Sequence, residues 1–494
     1  MEGSDIKLHP EGEEGFEFQF SPSGGTHHLV ASDDQLSAYG GVVAWDHFLK
    51  RTGLVEDLAE YYPLPRTSNN ATQVADILKG VMLNFLLGGK RFAHIRRIQD
   101  DLAMAQIMGL SRGKLNGEDA FRRLCEKLGK KQLRQWMRVA EERIHRSTPQ
   151  GWIADWDSTV ISKYGDQEDV EMGYNPHKSV RKSLHPLVCV VAGTRLALHM
   201  RWRSGKTASS TDWVEAMEEI WTHPETQNKL SLNRGDIGFG NETVMAWHEV
   251  EGVKRPKYLF KLKLTSGVKK AIAKIQWPDW KHDAQTQYGI EQYSETTVKL
   301  SGWSAERRMV VTRILRPKNP TLQDHFWDMA EEEVHAYVTN LEPEIANPAQ
   351  IVLCYRKRAD SENVFDELKN QWGFAGFSSG KAVVGEASSR LMLLVYNLWS
   401  MFVRVVTDRD NHTEAITSRY ELLMLPARIV KSGRKKTVKL SVGEKLKALL
   451  KAAYKRLHQW LSSTAPQLSL NRTQHEKWNL FLTENDPDLL LSSA

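Results

Sequence analysis

From residue 31 to about residue 148, apolar positions return every three to four residues, the period of a helix with one buried face. AYGGVVAWDHFLKRTG and LVEDLAEYY predict short helices, closed by Pro63 and Pro65. NATQVADILKGVMLNFLLG (70–88) predicts a longer helix with Asn70 as its cap. Further helices are expected over 90–108, over 117–128 and in KKQLRQWMRVAEERIH. Residues 1–30 carry Gly, Glu and Ser with little pattern and read as a loose arm.

At 151 the period shortens to two and β-branched residues become frequent. WIADWDSTVIS, HPLVCVVAG and RLALHMRWRSG predict three strands in meander order, with a tight turn at Gly193-Thr194. A helix (TDWVEAMEEIW), a fourth strand (KLSLNRGD), a helix (ETVMAWHEV) and a fifth strand (YLFKLKL) follow. Residues 265–345 break the order with a basic helix (GVKKAIAKI) and two alternating segments, IEQYSETTVKLSG and AERRMVVTRILR, facing each other as a hairpin or longer strand pair. EVHAYVTNLEP resumes the core, and QIVLCYR leads into YRKRADSENVFDELK (355–369), a segment without Pro or Gly that predicts one helix. RLMLLVYNLWSMFVRVV is nearly all apolar and reads as a buried brace. PARIVKSGRKKTVKLS predicts a basic hairpin, and GEKLKALLKAAYKRLHQWL a helix with a lysine face. The chain divides into 1–30, a helical 31–148, a core at 149–264 and 346–410 split by 265–345, and a basic 411–494.

Composition narrows the classes. At 41% hydrophobic residues the chain can build real cores, which excludes a disordered chain. No run approaches 18 apolar residues, and the acidic start MEGSDIKLHPEGEEG is no signal peptide, so a cytoplasmic protein is expected. Cys125, Cys189 and Cys354 lie far apart, which argues for reduced thiols and against zinc. The net charge of +6 is modest but uneven. Between Arg428 and Arg456 stand eleven Lys or Arg and one acid, Glu444. Basic residues are also dense from Lys79 to Arg146, so a large polyanion is the expected partner. GDIGFGNE lacks the strand-loop-helix unit and following acid of a dinucleotide site, and no phosphate-binding loop pattern occurs. His185 and His199 sit in or beside strands and read as structural histidines.

The candidate chemistry lies in 355–369. Tyr355, Arg358, Glu362 and Lys369 are spaced by three, four and seven, which returns them to one face of a helix. A carboxylate there can hold a divalent cation while the flanking cations clasp phosphates. By itself the stripe fits a solvated, salt-bridged helix better. Two other segments, GWIADWDSTVISKYG and LSLNRGDIGFGNE, each carry an acid at or near the end of a strand-like run. Asp157 and Asp155 both qualify in the first, since residues two apart share one strand face, and Asp236 qualifies in the second. Gathered like charges need cations, and oxygen-only ligands suit Mg²⁺ or Mn²⁺.

These segments together resemble bacterial insertion-sequence transposases of the DDE type. Tyr355-x2-Arg358-x3-Glu362-x6-Lys369 is similar at all four positions to the Tyr-Arg-Glu-Lys signature around the third acid of one large branch. Asp157-Ser158-Thr159 resembles the block of the first acid, and Arg234-Gly235-Asp236-Ile237-Gly238-Phe239 that of the second. Tyr164 to Gln167, Gly173 to Pro176, His185-Pro186-Leu187 and Arg390 through Asn397-Leu398 are also family-like, and the resembling group is insertion-sequence family thirteen-eighty. The likeness runs from about residue 25 to about residue 460.

The resemblance implies an α/β fold. Its core would be a ribonuclease-H-like mixed five-stranded sheet with flanking helices, interrupted by a β-rich insertion. A helical N-terminal DNA-binding domain and a basic C-terminal region would flank that core, and the β-β-β-α-β-α-β order agrees. Two Mg²⁺ or Mn²⁺ ions per site are implied, with Asp157 bridging, Asp236 on one ion, Glu362 on the other and Asp155 as a rival or supporting group. Tyr355, Arg358 and Lys369 would meet the DNA phosphates beside the cut, and Arg434, Lys435 and Lys436 the backbone further off. Trp303, at the turn of the insertion, would stack on an unpaired base or pack on its own sheet, with Trp277 and Trp280 competing for that role. The implied activity is cut-and-paste transposition by a nucleoid-associated bacterial homodimer. It would bind terminal inverted repeats and target double-stranded DNA, cut by two-metal phosphodiester hydrolysis and join 3′ ends, with a hairpin intermediate as one route. The alternatives are a metal-dependent endonuclease without strand transfer and a domesticated, non-catalytic DNA-binding relative.

Overall fold

The alternating segments predicted from 152 onward close into one large sheet. The structure, a computed structural model, describes residues 6–7, 17–20, 27–30 and 35–463, except 69, 100, 176–179, 287–288, 318–329, 378, 410–411 and 434. The strands of the large sheet are β1 (Trp152–Ser158), β2 (Leu187–Val191), β3 (Leu196–Arg201), β4 (Leu230–Gly235), β5 (Lys257–Leu262), β6 (Lys281–Thr286), β7 (Gly289–Val298), β8 (Arg307–Pro317) and β9 (Ala330–Thr339). Their order across the sheet is β3-β2-β1-β4-β5-β9-β8-β7-β6. β4 runs parallel to both β1 and β5, and every other pairing is antiparallel. All five strands expected in the core are present. The expected insertion does not stand apart from them: β9 pairs with β5 on one side and β8 on the other, so the sheet grows to nine strands.

One face of the sheet carries α1 (Pro348–Arg356), whose Ile351, Val352 and Cys354 share an apolar cluster with Leu232, Leu259, Val310 and Tyr337. The expected single helix over 355–369 is two. α1 ends at Arg356, a tight turn spans Lys357–Ala359, and α2 runs Asp360–Gln371. The break has a local cause: Arg358 turns inward, and the Ser361 hydroxyl bonds the Arg358 carbonyl at 2.8 Å.

The apolar helix Ala382–Thr407 braces the assembly. By length and composition it is one helix able to cross a membrane, but 83% of its apolar window is buried in the protein. The N-terminal helices Val74–Leu86 and Lys130–Arg146 pack on it and share its apolar core. Part of the N-terminal region's positive charge is committed: Arg134 pairs with Glu386, Arg143 with Asp57, Arg96 with Glu118 and Lys130 with Asp169. Asn70 does not cap Val74–Leu86, since Gln73 occupies the cap position. The helix expected at 90–108 divides into Phe92–Ile95, Arg96–Gln99 and Leu102–Ile107, the last capped by Asp101 at 2.8 Å from the Met104 N–H. The arm expected to be loose includes an antiparallel sheet of Ile6–Lys7, Glu17–Phe20 and His27–Val30.

The basic hairpin is present as Ala427–Ser432 and Lys435–Leu440, paired also with Leu36–Ser37. It is followed by the helix Glu444–Ser462. Cys125, Cys189 and Cys354 are free and buried. His185 bonds Ser183 and the Thr207 carbonyl, and buried His199 faces Glu219 at 3.2 Å.

Candidate active site

Neighbouring parallel strands carry both aspartates to one end of the sheet. Asp157 lies next to last in β1, and Asp236 immediately follows β4. In a parallel pair both C-terminal ends open on the same edge, so two acids far apart in sequence become neighbours. Two residues earlier, Asp155 sits directly across from Arg234 in the β1–β4 register. Arg234 grips that carboxylate with Nε at 2.6 Å and Nη2 at 2.7 Å, and its Nη1 bonds the carbonyl of Cys354 in α1. With Arg234 fully buried and Asp155 1% exposed, this pair is closed to any ligand. Of the two candidates of the first acidic block, Asp157 is the more exposed carboxylate.

Small residues shape the second block. A Cβ on Gly235 would sit 2.6 Å from the Phe239 ring, and one on Gly238 would sit 2.5 Å from Ser209. The tight turn lets the Gly238 N–H bond Asp236 Oδ1 at 2.9 Å, which orients the carboxylate. On the first block, the Ser158 N–H bonds Asp157 Oδ1 at 2.7 Å. Buried Arg203 holds Ser158 Oγ at 2.9 Å while also binding the carbonyls of His185, Ala208, Ser209 and Thr211. Arg203 thus ties the aspartate strand to the loop that backs Asp236.

Asp157 has a cationic partner from the signature segment. Arg358 Nη1 stands 3.4 Å from Asp157 Oδ2. Burial lifts the Asp157 carboxyl above its ordinary pKa, Arg358 opposes the lift, and the nearby Asp236 adds to it. Burial works against the Arg358 charge, but Tyr355 and Asp157 outweigh it and hold the guanidinium firmly charged. The Tyr355 ring lies 5.8 Å from that guanidinium, and burial raises its phenol. Burial lowers the Lys369 ammonium, against the pull of Asp157. Arg358 thus contacts the first acid, and Tyr355 and Lys369 lie within its electrostatic reach.

Glu362, exposed in the first turn of α2, lines a cavity of about 690 Å³ with Tyr355, Arg358, Lys261, Tyr337 and Glu291. Among the described residues no three His, Cys, Asp or Glu side chains are grouped closely enough to hold one metal. The two strand-borne aspartates come together; the glutamate stands on the adjoining cavity, with Arg358 beside Asp157. The helical spacing placed the stripe on one face but said nothing of the turn at 357–359, which changes where Glu362 lies relative to Arg358.

Trp303 is half-buried with its ring 5.2 Å from the Arg307 guanidinium, which is itself locked to Glu242 and Glu249. It packs on the main core and is not among the residues lining the cavity. Trp280 is buried, with Arg313 at 4.0 Å over its ring. Lys435 and Lys436 are exposed on the hairpin, and Arg434 lies outside the described residues. Sequence reasoning missed Lys261, Arg203, Glu291 and Arg356. Arg356 lies inside the signature block but off its helical spacing, and the others become neighbours of the site only through strand pairing.

A family profile described as Transposase DDE domain group 1 matches residues 27–462. No curated protein matches significantly. Among solved structures, one similar chain is the transposase in a cryo-electron-microscopy structure described as the piggyBac transposase synaptic complex with hairpin DNA. The two are 10% identical, with a TM-score of 0.41 over 90% of this chain and 86% of that one.

Proposed function

The chain belongs to the group 1 DDE transposase domain family, and from that premise we propose that it binds the ends of a mobile element, cuts them with two divalent metal ions and joins the 3′ ends to target DNA. We read β1 to β5 as a ribonuclease-H-like core, because their order β3-β2-β1-β4-β5 with β1, β4 and β5 parallel is the one that reading expects. The observation carrying the proposal is the meeting of Asp157 and Asp236 at one sheet edge, faced by Arg358, Tyr355 and Lys369.

The donor chemistry fits a hard cation. Asp157 and Asp236 are oxygen-only ligands whose mutual repulsion a divalent ion would relieve. Asp157 and Asp236 would hold one ion, and Asp157 and Glu362 the other. Bound there, the pair of ions supplies activation of the attacking oxygen and stabilisation of the leaving one. The protein's own side chains do the positioning. Arg358 is a planar fork suited to a phosphodiester, Lys369 a point charge, and Tyr355 a hydroxyl donor. A DNA phosphate gives Arg358 a second anionic partner, so the guanidinium can leave the Asp157 oxygen to an ion and hold the backbone instead. A homodimer places one such site on each of two ends.

The hairpin supports the DNA reading. Lys431 lies directly opposite Lys436, and Arg428 opposite Lys439, all four exposed. Like charges directly opposite in a ladder weaken it, so a polyanion on this face would relieve the strain. Exposed Lys445, Lys447, Lys451 and Lys455 extend the field along the following helix. Replacing Lys435 or Lys436 by Ala is expected to weaken end binding and to reduce the slope of log affinity against log salt by about one per residue. Slopes equal to wild type across a salt titration would remove the hairpin from the DNA contact.

The whole reading is tested by incubating the protein with Mg²⁺, labelled element ends and a second plasmid. Cut ends joined through their 3′ hydroxyls are expected. Cut but never joined ends would leave the endonuclease; binding with no cutting would leave a non-catalytic relative.

A further inference from the structure

The insertion and the signature block meet at one ion pair. Glu291, on β7, is 3% exposed. Its Oε2 takes Arg356 Nη1 at 3.0 Å, its Oε1 takes Arg356 Nη2, and Oε1 also accepts from Thr312 Oγ1 of β8 at 3.0 Å. Such two-point contact fixes orientation as well as proximity. Arg356 is the last residue of α1, immediately before the turn 357–359 that carries Arg358. On the far side of that turn Asp360 Oδ1 accepts from Arg195 Nε at 2.9 Å and Nη2 at 2.7 Å. The turn therefore hangs between two ion pairs, one rooted in the insertion and one in the bend between β2 and β3. Tyr337 of β9 adds a ring contact to Tyr355, with centroids 4.7 Å apart.

A pair that only had to glue the insertion to α1 would be served as well by apolar side chains, since burying a carboxylate gains little over good packing. What apolar packing lacks is a fixed angle for the residue that ends the helix. We propose that Glu291 is a positioning residue, acting through Arg356 to set the turn that presents Arg358 to the cut phosphodiester and Glu362 to the metal site. The insertion is then part of the active site. This rests on the transposase reading above.

The test compares Glu291→Gln with the double variant Glu291→Leu/Arg356→Met. Four quantities are read for each: melting temperature, end binding by gel shift, cleavage rate at saturating DNA across a Mg²⁺ series, and Mn²⁺ bound without DNA from the free-ion paramagnetic resonance signal. Glu291→Gln is expected to bind ends within about threefold of wild type, to cleave about tenfold or more slowly, and to bind Mn²⁺ about tenfold more weakly, the range for groups that orient a ligand. The apolar pair is expected to melt at or above the wild-type temperature and still show both defects. Wild-type cleavage and Mn²⁺ binding in the apolar pair would overturn the inference, because the contact would then be glue alone. A wild-type protein that bound Mn²⁺ and never cleaved would sink the transposase reading, while the Mn²⁺ comparison would still decide the role of Glu291.

Discussion

Asp236→Asn is expected to cut element ends at least about 10³-fold more slowly than wild type, ~4 kcal/mol of lost transition-state stabilisation, while binding those ends within a few-fold of wild type. The substitution is close to isosteric, and the amide oxygen can still accept from the Gly238 N–H that shapes the turn. What disappears is one of two like charges at the sheet edge. The remaining carboxylate, Asp157, loses the repulsion that helps raise its pKa, so the fold is not strained by the change. The basic hairpin and its following helix are untouched, which is why binding survives. A nicking assay on end-bearing DNA, run beside a gel shift, separates the two effects. Cleavage by Asp236→Asn comparable to wild type would take Asp236 out of the chemistry.

Arg234→Met is expected to destabilise the protein by about 3–5 kcal/mol, the usual consequence of leaving one half of a buried ion pair behind. Asp155 would be left at 1% exposure with neither of its two Arg234 contacts, burial would push its carboxyl further toward the neutral form, and the Cys354 carbonyl would lose its donor. Because Arg234 joins β1, β4 and α1, the loss falls on the two strands that place the aspartates and on the helix that leads into the signature turn. A lower melting temperature and poorer soluble yield are the readouts. Adding Asp155→Asn should recover part of the loss, because the stranded charge is then gone. A single variant as stable as wild type would show that this pair does not hold the site together.

The local patterns were legible because they are short-range. Alternation over 152–158 and 187–201 reflects residues that pack against their immediate strand neighbours, and those strands form where the pattern put them. The same holds for the insertion's paired segments, which run in unbroken register from Ile290 opposite Leu315 to Val298 opposite Arg307. The hairpin Ala427–Leu440 and the apolar brace Ala382–Thr407 were equally plain. The acidic blocks and the stripe were visible as residue types at characteristic spacings.

Other features depended on contacts between distant segments. Whether Asp155 or Asp157 is the open acid was undecidable from the strand, since both share its face; the partner that closes Asp155 lies on β4. The sequence showed the charge on the N-terminal helices but not its partners: Arg134 meets Glu386, Arg143 meets Asp57 and Arg96 meets Glu118. The sequence left Trp303 between base stacking and packing on its own sheet, and did not show that Arg307 lies over its ring. By itself the sequence determined the strands, the helices and the kinds of side chain available for chemistry, because hydrophobic period and turn residues act over a few positions. Only the tertiary structure decided which acids face each other, which cations they meet and where the signature helix breaks, because those follow from strand order and from ion pairs between residues tens to hundreds of positions apart.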